Sequence, residues 1–270
     1  MRRSLAGILL IISTVMFAAS ISAWWFQRVA FTPSADTDTA LAILGDQEIR
    51  EQIATIVASS TAAETGQSPT ELKEFIQGIS RIPAGAALMS DFVSDAHQRL
   101  IGEHPDPVRI DAQHQVQIVR DERVGEMSPI TLPVQEAGAL SAIDRFAGWV
   151  AIGGAIGGLL MLIVGVIMRP ERGEFTQALA IGLVALALMI VLFGYIVPAL
   201  VLPALSDSSW MGLFPRLAND SLVATLGIAV VSLILAAAIT LGTTSVRQRR
   251  QWSTPLSVGR YRDDRTWSSR

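Results

Sequence analysis

The sequence predicts a mainly α protein built as a four-helix transmembrane bundle, with a small, mostly helical extracytoplasmic domain inserted between spans 1 and 2. Three observations carry that prediction. Counting from one charged residue to the next gives uncharged stretches of 24 residues (4–27), 23 (146–168), 32 (175–206) and 26 (221–246). Each is long enough to cross a bilayer, which takes about 20 apolar residues. Arginine collects beside some ends of these stretches and not others, which sets a direction of insertion. The long segment between the first two stretches carries helix start signals and amphipathic stripes instead of a continuous apolar run.

The first span covers residues 1–27, with its N-terminus in the cytoplasm. Arg2 and Arg3 precede the apolar run, and Ser20-Ile21-Ser22 has the small residues of a signal-peptide cleavage site. The run continues through Trp24, Trp25 and Phe26, residue types that settle at the membrane interface, which favours an uncleaved anchor. The extracytoplasmic domain then occupies residues 28–145, the second span 146–168, a cytoplasmic loop 169–174 and the third span 175–203. An external loop 204–220, the fourth span 221–246 and a basic cytoplasmic tail 247–270 complete the order. In this orientation the cytoplasmic segments hold eleven arginines against four acids, whereas residues 28–145 hold nine basic and eighteen acidic residues. That is the positive-inside pattern of a multi-pass plasma (cytoplasmic) membrane protein with both termini cytoplasmic.

In the second span, Gly153 with Gly157 and Gly154 with Gly158 form two overlapping small-xxx-small pairs, and Gly165 lies one heptad beyond Gly158. Such a face lets helix backbones approach closely, either inside one bundle or across a homodimer. Near the outer end of the third span, Pro198 and Pro203 each remove a backbone donor and predict a kinked or unwound exit. Trp210 and Phe214 follow as expected interfacial residues.

Within the domain, Asp46 caps a helix whose Ile49, Ile53, Ile56 and Val57 share one face. Ser68-Pro69-Thr70-Glu71 reads as a capping box with proline at the first helical position, opening a helix that buries Leu72, Phe75, Ile76 and Ile79. A third helix from Ala84 to Ile101 buries Leu88, Met89, Phe92, Val93 and Leu100 and ends at Gly102. Beyond Pro105, Val108-Arg109-Ile110 and Val116-Gln117-Ile118 alternate with period two and predict a pair of short strands.

The chain has no cysteine, which removes disulfides, thiol catalysis and thiolate metal sites, and of its 21 basic residues only Lys73 is lysine, a bacterial-looking bias. His97, His104 and His114 share the domain with Asp91, Asp95, Asp106 and Asp111. Their spacing lacks the i, i+4 pairing of helical metal ligands, so no metal or other cofactor is expected. No G-x-S-x-G, H-E-x-x-H, G-x-x-x-x-G-K-[ST] or G-x-G-x-x-G run occurs, which removes the usual support for a hydrolase, a zinc protease or a nucleotide enzyme. The uncharged stretches offer no ionisable relay of the kind that proton-coupled transport uses. The chain is therefore expected not to be an enzyme.

Leu44-Gly45-Asp46-Gln47-Glu48-Ile49-Arg50-Glu51-Gln52-Ile53, Asp95-Ala96-His97-Gln98-Arg99-Leu100-Ile101-Gly102 and Val108-Arg109-Ile110-Asp111 follow the first span in this order. With the four spans they resemble a group of actinobacterial four-helix integral membrane proteins, to which no catalytic activity is attached. The group has Asp-Pro where this chain has Asp46-Gln47, and a larger apolar residue where it has Ala112. The resemblance implies an actinobacterial plasma membrane and a helical domain after the first span. The order of one span, a large external domain and three spans is also similar to the FtsX and MacB type of ABC-transporter permease, although the six-residue loop 169–174 is short for engaging an ATPase.

Together these readings predict a non-enzymatic membrane protein of the bacterial cell envelope: an accessory, scaffold or partner-binding subunit, with a permease-type or channel subunit or a sensor of an external ligand as alternatives. Expected partners are membrane lipids, including anionic lipid at the basic tail, an envelope protein and a second copy of the chain, but not nucleic acid.

Overall fold

The computed structural model describes residues 2–168 and 172–252; part of the loop 169–174 and residues 253–270 of the basic tail lie outside the described residues. The chain is mainly helical. Helix α1 (Arg2–Ala30) leads into α2 (Thr37–Leu44), α3 (Gln47–Thr65), α4 (Pro69–Ile79), α5 (Pro83–Ile101) and α6 (Ala112–Val119). Two long helices, α7 (Gly138–Ile167) and α8 (Arg172–Val191), follow, and after an irregular stretch come the short α9 (Leu213–Asp220) and the long α10 (Leu222–Trp252). Four segments are long and apolar enough to cross a membrane: Leu5–Ala30, Gly138–Ile167, Gly173–Leu205 and Leu222–Thr243.

These four helices form a row. Helix α1 packs against α7 on one side and α8 on the other, and α10 packs against α8, while among the described residues no comparable contact joins α7 to α8 or α10. The side chains of α1 explain its central place. Ser13 Oγ donates to the Gly158 carbonyl at 2.7 Å and Ser20 Oγ to that of Ala151 at 2.5 Å, both on α7. On the other side Thr14 Oγ1 donates to the Ala178 carbonyl at 2.9 Å, and Trp25 Nε1 donates to Thr225 Oγ1 at 3.0 Å. In lipid, apolar faces gain nothing by leaving the hydrocarbon, so close packing and such hydrogen bonds decide which helices touch. Helices α7 and α10 have no matching partners for each other, and the row stays open.

The third span loses α geometry earlier than its prolines suggest. It widens to a π-helix over Leu192–Val201, which contains Pro198, and tightens to a 3₁₀ turn over Leu202–Leu205, which contains Pro203. The widened turn also meets α1: a Cβ on Gly194 would lie 2.7 Å from Trp25 Cδ1, so only glycine admits the indole there.

Between α1 and α7 the predicted helices form with nearly the expected bounds. The Asp46 carboxylate accepts from the backbone N–H groups of Glu48 and Ile49 and caps α3, which buries Ile49, Ile53 and Val57 and half-buries Ile56. Ser68 stands at the N-cap of α4 with Pro69 after it, but its side chain makes no capping hydrogen bond, and Phe75 is exposed while Leu72, Ile76 and Ile79 are buried. Helix α5 buries Met89, Phe92, Val93 and Leu100 and stops at Gly102, whose φ of 84° suits glycine.

Two expectations in this region fail. Val116-Gln117-Ile118 is not a strand but part of α6, because Asp111 caps that helix by accepting from the His114 N–H, and Ile118 and Val119 turn inward. The strand partner of Arg109–Ile110 (β1) is instead Ile130–Thr131 (β2), antiparallel, with Ile110 opposite Ile130. Helix α2 was not anticipated, although Asp36 caps it and Ala40, Ile43 and Leu44 form its buried face.

Candidate functional site

The segment after the third span, expected as a loop with interfacial aromatics, is folded and docked. Trp210 and Phe214 are both 0% exposed. They belong to one continuous core that runs from Phe26, Ala30 and Phe31 at the end of α1, through Ile43, Ile49 and Leu100, to Leu202 beyond the π-helix. They bury because α9 lies against α2 and the π-helix instead of at a lipid boundary. Polar contacts fix the same joint: Ser209 Oγ donates to Gln52 Oε1 at 2.6 Å, and Arg216 Nε lies 3.5 Å from the Asp46 carboxylate. Gly212 allows this approach, since a Cβ there would stand 2.9 Å from Asp46 Cγ. The helical region and residues 204–220 therefore lie at the same end of the four long helices.

At the centre of this joint sits His97. It is 1% exposed, and its Nε2–H donates to the Ala30 carbonyl at 2.9 Å, one of the last carbonyls of α1 and without a helical partner. The Phe214 ring stands edge-on to it, with centroids 6.2 Å apart. His97 Nδ1 and Trp210 Nε1 are buried without hydrogen-bond partners. Burial pushes the His97 imidazole down to about 4, with the Ala30 hydrogen bond opposing the shift, so at neutral pH the ring is uncharged. His97 thus bridges residues 67 apart in the chain.

The other histidines lie elsewhere. His114 Nδ1 is 2.7 Å from Asp111 Oδ1, and its Nε2 is 3.7 Å from Asp91 Oδ2, while the backbone carbonyl of His104 accepts from Arg99. Among the described residues no group of three or more histidine, aspartate and glutamate side chains is arranged to hold a metal ion.

Among the described residues three recesses open from this region, one of about 450 Å³ beside Gln52 and Ser209 and two others. The larger, about 720 Å³, lies between α3 and β2, with Ile56, Ser60 and Glu64 on one wall and Met127, Ile130 and Thr131 on the other. Arg123 stands at its rim, held by a two-pronged pairing with the Asp121 carboxylate (3.0 and 2.7 Å) and by donation to the Thr65 carbonyl at 2.7 Å. The exposed lining is more polar than apolar and carries both charge signs in Glu64, Glu126 and Arg123, which suits a polypeptide surface better than a small apolar ligand. The smaller, about 310 Å³, is lined by Trp24, Gln27, Arg28, Glu103 and Asp144. There Gln27 Nε2 donates to Asp144 Oδ1 at 2.8 Å, and partial desolvation, with the Asp144 carboxylate adding to it, holds the Glu103 carboxyl above its usual range.

No family model, no curated protein and no solved structure matches the chain. Function therefore rests on the geometry alone.

The glycines singled out in the second span divide into two sets. A Cβ on Gly154 would lie 3.0 Å from the Met16 carbonyl oxygen and from Ser20 Cβ, and one on Gly158 would lie 3.3 Å from the Phe17 ring and the Ser13 carbonyl oxygen. Gly157 lies under the Met16 methyl group, and Gly165 under Leu10 at 3.0 Å. All four face α1 of the same chain. Gly153 has nothing within 4 Å of a built Cβ and faces outward.

Proposed function

We propose that this is a non-enzymatic integral membrane protein of the bacterial cell envelope, a scaffold whose residues 28–145 stand outside the plasma membrane and present a binding surface to an envelope protein. The observation that carries this reading is the shared core. A domain whose interior is continuous with the first and third spans has no free linker, so it offers its exposed surfaces in a fixed orientation to the membrane. The cleft between α3 and β2 is the partner surface, with Ile56 and Met127 as apolar anchors and Glu64, Arg123 and Glu126 as the charged rim. The arginine distribution supports cytoplasmic termini, and the resemblance to actinobacterial proteins supports that membrane as the location.

Two experiments test the proposal. A reporter active only in the cytoplasm is expected to work when fused after Arg250 and to fail when fused near Glu64; the reverse pattern inverts the orientation. The full chain, purified from crosslinked native membranes, is expected to carry a stoichiometric partner, identified by mass spectrometry, that Ser60→Trp releases by filling the cleft. Retention of that partner by the variant assigns binding to another face.

A further inference from the structure

Helices α8 and α10 pack against each other. Ala187 and Ile190 of α8 close on Ala229 of α10 in a small buried cluster. From there toward the N-terminus of α8 a groove of about 940 Å³ runs between the two helices. Its walls are apolar along Ala180, Val184 and Leu188 and along Leu233 and Ala236, and its polar side chains, Thr176, Gln177, Thr240 and Thr243, collect at the open end. In the sequence, Arg247, Arg249 and Arg250 follow Thr243 within two turns on α10, whereas in the loop 169–174 two arginines are balanced by Glu171 and Glu174.

The depth of the groove identifies its occupant. Gly173 to Leu188 is fifteen steps of about 1.5 Å, roughly 22 Å. That is about half of the 40–45 Å thickness of a bilayer with its headgroups, the depth of one leaflet. A transmembrane helix from a second copy would need a seat across the whole membrane, and the contact at Ala187, Ile190 and Ala229 blocks it midway. We propose that the groove seats one anionic phospholipid of the adjoining leaflet, its acyl chains along the apolar walls and its headgroup at the polar mouth, beyond which α10 continues into Arg247, Arg249 and Arg250. The proposal needs only the four spans, and neither the orientation nor the partner argued above.

The test uses the full chain in nanodiscs of phosphatidylcholine with and without phosphatidylglycerol, read by native mass spectrometry and by thermal melting. Wild-type protein is expected to retain one phosphatidylglycerol and to melt higher in its presence. Filling the groove with Ala180→Phe and Ala237→Phe is expected to weaken retention roughly tenfold or more while leaving the melting temperature in pure phosphatidylcholine unchanged. Leu160→Phe on the outward face of α7 is expected to behave as wild type. Should the filled variant not fold, Arg247→Gln with Arg249→Gln and Arg250→Gln removes only the charge beyond the mouth and is expected to abolish the preference for phosphatidylglycerol over phosphatidylcholine. Equal retention of the two lipids by wild type, or undiminished retention of phosphatidylglycerol by a folded filled variant, overturns the proposal. So does a crosslinked dimer that disappears when the groove is filled, because the seat then belongs to a second copy.

Discussion

Residues 31–137 and the four long helices obey opposite rules of burial. In the first region only Phe75 and Ile82 among the large apolar side chains are exposed, whereas α7 alone leaves Phe146 (70%) and Trp149 (75%) uncovered, and α8 leaves Leu188 (68%) uncovered. The difference lies in the surroundings that each part is built to meet. In water an uncovered leucine forgoes about 1.5–3 kcal/mol, so helices close on one another until their stripes are hidden. Beside lipid tails there is no such penalty, and only small-residue contacts and hydrogen bonds hold neighbours together. The joint at Trp210, Phe214 and His97 is where the two regimes meet, and the first predictions probe it.

The largest effect is expected from Phe214→Ala. This ring is fully buried, 6.3 Å from the Phe31 centroid and 6.2 Å from that of His97. Emptying such a site costs about 3–5 kcal/mol. Trp149→Ala, on the outward face of α7, is expected to leave stability in a bilayer nearly unchanged. Thermal melting and limited proteolysis of both variants check the contrast, and equal losses would mean that the outward face of α7 is covered by something other than lipid.

A smaller and pH-dependent effect is expected at His97. Its folded value of about 4 lies below the 6.5 of the free side chain, so between those values the unfolded chain binds more protons than the folded one. Stability from this site is therefore complete above pH 6.5 and declines as pH falls through 4, by a total of about 3 kcal/mol. His97→Gln does not titrate, and its amide can still donate to the Ala30 carbonyl. Comparing melts of the two proteins from pH 7 to 4 isolates this histidine from the carboxylates that titrate in both. A stability difference that stays constant across that range would place His97 in contact with water.

How much of this was legible depends on where the decisive contact lies in the chain. The spans, α3, α4 and α5 were readable because periodicity, Asp46, Pro69 and Gly102 are local signals. The alternation of Val116-Gln117-Ile118 suggests a strand, but Asp111 five residues earlier caps a helix, and with inward residues at 118 and 119 the segment coils. The joint could not be read at all. Trp210 and Phe214 look alike in sequence whether they meet lipid or Phe31, and the contact between His97 and Ala30 spans 67 residues, a separation at which no cap or periodicity signals it. Nor does the sequence show that the row stays open, because the apolar faces of α7 and α10 would read the same with a helix or with lipid beside them.

The smallest effects are expected along the glycines of α7, where the sign of the change matters more than its size. Replacing a helical glycine by alanine lowers the entropy lost on folding and gains about 0.5–1 kcal/mol when the new methyl group meets nothing. Gly153→Ala is in that position, with no atom within 4 Å of the added Cβ, and is expected to raise the melting temperature slightly. At Gly154 the added methyl group would stand 3.0 Å from the Met16 carbonyl oxygen, a backbone atom that cannot swing aside. Helix α1 must then retreat, straining the hydrogen bond from Ser20 to Ala151, and overpacking of this kind costs about 1–3 kcal/mol, more than the entropy gained. Gly154→Ala is therefore expected to lower the melting temperature although it lies one residue from a substitution that raises it. Because the contact is within one chain, crosslinking in native membranes should give the same oligomeric state for both variants. If Gly154→Ala were silent, the close approach of α1 and α7 would be wrong; if Gly153→Ala were the damaging one, its outward face would be covered by another chain.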